Sequence, residues 1–144
     1  MNRINEQLAY YKDKVDAKPN DPALRVNLGY TYFLKGKNDD AIKQLKVALD
    51  LDKKNYDAYL NLSIVYNDEN RFDDALKAAQ KTVEINPRDY KGQLQMGTIY
   101  RKLKMYKDSL EALNKANELM PRKYRYYLSN WPALRGSRNE ERGC

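Results

Sequence analysis

Histidine is absent from the 144-residue chain. That removes the commonest general base, the commonest zinc ligand and every Ser-His or Cys-His nucleophile pair. The only cysteine is Cys144, so neither an intramolecular disulfide nor a cysteine metal cluster can form. Glycine (6) and proline (5) are scarce, whereas a sheet protein needs more turn residues and more β-branched runs. No apolar run approaches the roughly 18 residues that a membrane span requires. The N-terminal stretch MNRINEQLAYYKDKV has no apolar core of the signal-peptide kind, and a cytoplasmic location is the expectation. No P-loop, GxGxxG or CxxC is present.

What the chain does have is charge and tyrosine. Charged residues make up 33%, and the 42% hydrophobic fraction includes 13 tyrosines. Lys and Arg number 27 against 20 acidic residues, a net charge of +7. Such a balance permits an acidic partner without identifying one. The length suits a single domain.

Three consecutive windows of 34 residues align without a gap, at 22–55, 56–89 and 90–123. Tyr32, Tyr66 and Tyr100 coincide, as do Leu28, Leu62 and Met96, and Ala41, Ala75 and Ser109. Within the first window Leu24, Leu28 and Tyr32 follow a helical spacing, and Ala41, Ile42, Leu45, Ala48 and Leu49 form a second apolar stripe. The break between them falls on Gly36, then Asn70, then Lys104. Glycine and asparagine tolerate the left-handed geometry that ends a helix, and Lys104 is expected to be mildly strained there. A unit of two helices cannot bury its apolar faces alone, but stacked units can.

This pattern resembles the tetratricopeptide repeat (TPR) family. Its marks are Leu28-Gly29, Tyr32, Ala41 and Ala48 in the first unit. The second unit carries Leu62-Ser63, Tyr66, Ala75, Thr82 and Pro87, and the third carries Met96-Gly97, Tyr100, Ser109, Ala116 and Pro121. The sequence departs from the family at Lys53, where a closing Pro is usual, and at Thr82, which is larger than the usual Ala. Arg25, Tyr59 and Gln93 stand in place of the family's early Trp. The resemblance implies an all-α fold, a right-handed superhelical solenoid of antiparallel helix pairs, with about three units plus flanking helices. As a single domain it would comprise an N-terminal capping or half-repeat helix in 1–21, repeat units at 22–55, 56–89 and 90–123, a C-terminal capping helix at 124–132 and a disordered tail at 133–144.

The N-terminal helix has its own signature. Leu8, Tyr11 and Val15 match Ile42, Leu45 and Leu49 one period later, so residues 2–18 resemble a second helix whose first helix is missing. Either this is a cap on the array or the chain is cut from a longer one, or else another copy of the protein covers the open flank. At the other end Tyr124, Tyr127, Leu128 and Trp131 form one apolar helical face, and Pro132 ends it.

Paired carboxylates occur at Asp39-Asp40 and Asp73-Asp74, with Asp108 at the equivalent place. They begin the second helix of each unit, where acidic side chains cap free N–H groups and complement the helix dipole. That recurrence argues for structure rather than catalysis or metal binding. The serines have no imidazole to activate them. No enzymatic activity, catalytic residue, metal or cofactor is expected.

By resemblance to the family, the first helices line a concave groove. The inward residues are then Val26, Asn27, Tyr30, Phe33 and Leu34 in the first unit. In the second they are Leu60, Asn61, Ile64, Asn67 and Asp68, and in the third Lys91, Leu94, Gln95, Thr98, Arg101 and Lys102. Val26, Tyr30, Phe33, Leu60, Ile64 and Leu94 would form an apolar track, the kind of surface that marks an interaction site. The three units carry net charges of +3, −3 and +5, so the basic excess lies in the third. Some co-chaperones of this family grip a peptide carboxylate with a fixed Lys, Asn and Arg set. Asn61 and Lys91 match that set, but Val26, Tyr30 and Gln95 do not, and the clamp is not expected. The expected function is a protein-binding scaffold whose peptide-binding groove takes an amphipathic helix or extended segment with apolar anchors and acidic residues.

Two alternatives differ in class. Nucleic-acid binding is suggested by the +7 charge and by Arg135, Arg138 and Arg142, but the acidic second unit interrupts the basic surface. Self-assembly into a homo-oligomer through the incomplete N-terminal pair, or through insertion of Tyr126–Leu134 into a neighbour's groove, is the other.

Overall fold

The structure, a computed structural model, describes residues 2–122. The expected capping helix at 124–132 and tail at 133–144 lie outside the described residues. Seven helices and no strands occur among the described residues: α1 Arg3–Ala17, α2 Pro22–Leu34, α3 Asn38–Leu51, α4 Tyr56–Asp68, α5 Phe72–Ile85, α6 Tyr90–Lys102 and α7 Tyr106–Leu119. First helices start at Pro22, Tyr56 and Tyr90, and second helices at Asn38, Phe72 and Tyr106. Both series step by the 34-residue period of the sequence. No described helix is long and apolar enough to cross a membrane.

Each first helix begins on an Asx cap. Asp21 accepts from the backbone N–H groups of Ala23 and Leu24, Asn55 from Ala58, and Asp89 from Lys91. These caps satisfy donors that the first turn leaves unpaired. The second helices start differently. Their N-cap residues are Lys37, Arg71 and Met105, and none makes a side-chain capping bond. The expectation that Asp39-Asp40 and Asp73-Asp74 cap N–H groups is therefore corrected. They sit inside the first turn, where only their charge acts on the dipole.

The reason lies in the turn between paired helices. Gly36 (φ 81°), Asn70 (φ 59°) and Lys104 (φ 62°) are all left-handed, as the sequence break suggested. The following residue then donates its N–H back to the signature tyrosine. Lys37 donates to Tyr32 O at 2.9 Å, Arg71 to Tyr66 O at 2.8 Å and Met105 to Tyr100 O at 2.8 Å. The carbonyls of the same three residues accept the first bond of the next helix, from Ala41, Ala75 and Ser109. One residue thus closes one helix and opens its partner.

Between pairs a second turn recurs. Asp21, Asn55 and Asp89 donate N–H to the carbonyls of Lys18, Asp52 and Asn86. Lys53 occupies the place held by Pro19 and Pro87, and the turn is unchanged. The early-Trp position is also put to use. Arg25 Nε donates to Pro19 O at 3.1 Å, and Tyr59 Oη donates to Lys53 O at 3.3 Å. These are equivalent bonds from two different side chains, each tying a first helix to the loop before it.

The core is built on small residues. Ala41, Ala48, Ala75, Ala79 and Ala116 are fully buried, which lets paired helices approach closely. In the third pair a Cβ on Gly97 would stand 2.6 Å from Leu113 Cδ2, so the glycine makes room for the leucine. In the second pair the same two places hold Ser63 and Ala79, so volume is traded across the interface. α1 does not share this surface. Gln7 and Lys14 stand where α3 has Ala41 and Ala48, so α1 lacks the close-packing face that second helices offer to their first helices. It packs instead on α2, through a cluster of Leu8, Val15 and Leu28.

Candidate functional site: the face of the first helices

Helices α2 and α4 touch, as do α4 and α6, whereas α3, α5 and α7 make no comparable contact with one another. Rods that meet along one side and splay along the other form a curve with the touching set inside. The first helices therefore line the concave side, as the family resemblance implied.

On this face α2 presents an aromatic and aliphatic end. Tyr30 and Leu34 are each 41% exposed, and Phe33 is half-buried with its ring 6.3 Å from that of Tyr30. Asn27 is exposed. Val26 is not part of an open surface. It is buried in the main core with Leu45 and Leu62, because the neighbouring unit closes over its position. On α4, Leu60, Asn61, Ile64 and Asn67 are half-buried. Asn67 Oδ1 is enclosed with no hydrogen-bond partner among the described residues. Asp68 Oδ2 accepts from Asn38 Nδ2 at 2.9 Å, joining the start of α3 to the end of α4.

The α6 end is basic. Lys91, Arg101 and Lys102 are exposed, and α6 contains no acidic residue. Lys102 Nζ stands 5.8 Å from the centre of the Phe72 ring, a cation–π placement. Gln95 and Thr98 are half-buried, and Thr98 Oγ1 donates to Leu94 O at 2.9 Å. Leu94 packs against Leu113, Ala116 and Met120 of the third unit. The apolar track expected from sequence is thus interrupted at Val26, while Leu94 is half-buried like Leu60 and Ile64. What remains is a cluster from Tyr30 to Leu34, continued by Leu60, Ile64 and Leu94.

Three ion pairs occur elsewhere among the described residues. The ion pairs Arg71–Asp74, Lys81–Glu84 and Lys115–Glu111 lie on or beside α5 and α7. At the rim between units, burial pushes the pKa of the Tyr56 phenol well above its ordinary value. The Asp89 carboxylate nearby adds to the effect, although it makes no well-formed hydrogen bond with the phenol. No group of three or more His, Cys, Asp or Glu residues able to hold a metal occurs among the described residues.

One feature was missed in the sequence. A cleft of about 530 Å³ opens behind α4, floored by Tyr59, Leu62, Tyr66 and Ala78. Tyr59, Leu62 and Tyr66 recur at i, i+3 and i+7, on the side of α4 opposite Asn61 and Ile64. Its signal was available in the repeat alignment, where Gln44, Ala78 and Ala112 occupy one column.

Two family models, each described as tetratricopeptide repeat, match residues 32–91 and 90–122. No curated protein matches the chain. Among solved structures the chain is similar to one titled "Crystal structure of MamA protein", with 26% identity and a TM-score of 0.73 over 90% of this chain and 70% of that one. A second, "Crystal structure of MamA", has 23% identity and a TM-score of 0.72, covering 94% of this chain and 88% of the other. A third, "MamA RS-1 ArsTM double mutant", has 20% identity and a TM-score of 0.73, covering 88% and 74%.

Proposed function

Because the chain belongs to the tetratricopeptide repeat family, whose members bind protein partners, we propose that it is a non-enzymatic scaffold taking a segment of another protein along its concave face. The segment is an amphipathic helix or an extended stretch. Its apolar side chains anchor between Tyr30, Leu34 and Ile64, and its acidic residues lie toward α6. We propose a cytoplasmic setting for this docking.

One observation carries this polarity. Lys91, Arg101 and Lys102 project from a helix without a single carboxylate, while the described ion pairs sit on the outer helices. Unpaired cations beside exposed aromatic and aliphatic surface suit a partner that supplies both chemistries.

The test is affinity capture from the native cell, with the wild-type chain and with Tyr30→Ala combined with Ile64→Asp. Loss of the captured partner on the double change is the expected result. If every partner stays bound, the concave face is not the docking surface.

A further inference from the structure

A cleft lies behind α4, on the side of the array away from the concave face. We propose that it receives an aromatic side chain flanked by an acidic residue from a second polypeptide, so that the protein can hold two partners at once.

The comparison between units explains why the cleft exists. In the first unit Arg25 spans from α2 to α3, its Nη1 donating to Gln44 Oε1 at 2.9 Å. The molecule closes that place with its own side chains. In the second unit Arg25 becomes Tyr59 and Gln44 becomes Ala78. Tyr59 is drawn by its hydroxyl toward Lys53 O, and Ala78 is too short to bridge. What opens is a hollow of about 530 Å³ with Tyr59, Leu62 and Tyr66 on its floor. That volume falls in the range of sites that hold small organic groups.

The charge at its rim selects the occupant. Four ionisable side chains of α5 border the cleft: Asp74, Lys77, Lys81 and Glu84. Asp74 is held by Arg71, with Nη2 at 3.0 Å, and Lys81 is held by Glu84 at 3.2 Å. Arg71 also covers the Tyr66 ring, 4.5 Å from its centre. Lys77 alone has no ion-pair partner among the described residues. The cleft therefore offers the half-buried ring of Tyr59 and one unspent cation. A planar apolar group bearing a nearby carboxylate answers both, and adjacent aromatic and acidic residues of a polypeptide supply it.

The test uses the full chain, labelled with ¹⁵N, and two probes, N-acetyl-Trp-Glu-amide and N-acetyl-Trp-Lys-amide. The expected result is saturable shifts of amide signals at Tyr59, Lys77 and Ala78, with the Glu dipeptide binding about three- to fivefold more tightly, as befits one exposed ion pair. Ala78→Gln, which copies the first unit, should abolish the shifts. Lys77→Glu, at an exposed place, should keep the fold and reverse the preference between probes, so it decides the matter if Ala78→Gln unfolds. Absence of shifts, shifts centred on Tyr30 and Ile64 instead, or equal affinity for the two dipeptides would overturn the proposal. So would indole-3-acetate binding as tightly as the Glu dipeptide, since a free metabolite would then suffice. Of these outcomes only shifts centred on Tyr30 and Ile64 bear on the concave face, and they would count for it; the others leave its own test untouched.

Discussion

Thr82 of α5 occupies the space that a side chain on Gly92 of α6 would need. A Cβ built on Gly92 would overlap Thr82 Oγ1 and stand 3.0 Å from Val83 Cγ2. Thr82 is fully buried, and its hydroxyl donates to Ala79 O at 2.6 Å. The larger residue in one unit is thus matched by the smallest residue in the next. Gly92→Ala should destabilise the protein by about 1–3 kcal/mol through overpacking. Adding Thr82→Ala should recover much of that loss. Urea unfolding of both single changes and the double change measures the coupling, and simple additivity would refute it.

Lys104 holds a left-handed backbone that Gly36 adopts without penalty. Lys104→Gly should raise the midpoint of denaturant unfolding, with a gain of about 0.5–1 kcal/mol after the entropy of glycine is counted. Lys104→Asn, copying Asn70, should gain less. A fall in midpoint for both would mean that the lysine side chain contributes something its backbone geometry does not reveal.

Ser63 Oγ is enclosed and has no hydrogen-bond partner among the described residues. Ser109 makes an instructive contrast, donating from Oγ to Gly97 O at 2.7 Å. Ser63→Ala should therefore be neutral or stabilising by up to about 1 kcal/mol, while Ser109→Ala should destabilise by about 1 kcal/mol. Thermal unfolding of the two variants side by side checks the difference.

Tyr56 remains protonated in the folded protein at pH values where the unfolded chain ionises it. Its neutral form is favoured by folding, so its contribution is complete below about pH 10 and is lost as pH climbs above that value. Tyr56→Phe should flatten the fall in stability between neutral and strongly alkaline pH. Identical pH profiles for the two proteins would show that the phenol is not enclosed in solution.

Binding on the concave face should respond to salt through α6. Lys91→Gln with Arg101→Gln should weaken the partner severalfold and reduce its sensitivity to ionic strength. Titration at low and high salt provides the measurement. Equal salt dependence in both proteins would remove the acidic end of the partner.

Local periodicity made the helices and turns legible. Tyr32, Tyr66 and Tyr100 marked the register, and Gly36, Asn70 and Lys104 marked the turns, because both are fixed by residues close in the chain. The face of the first helices followed from the same register. Val26 was misjudged because its burial depends on packing from the next unit, which no spacing within one helix reports. Leu94 packs against Leu113 of its own helix pair, a contact between helices that spacing within one helix does not report either. The exchange between Thr82 and Gly92 also crosses a unit boundary, and each residue looked like an isolated departure. The aspartates of α3 and α5 were placed in the right turn but given a capping bond that these helices, with Lys37 and Arg71 at the N-cap, do not show.

The backbone bonds from Lys37, Arg71 and Met105 to the three signature tyrosines weld each helix to its mate. Packing is also denser inside a pair than between pairs. Bending of the whole must then concentrate at the joints around Asp52–Asn55 and Asn86–Asp89, like a chain of stiff links. The width of the inner channel becomes an adjustable dimension, set by whatever happens at two short loops far from Tyr30 and Ile64.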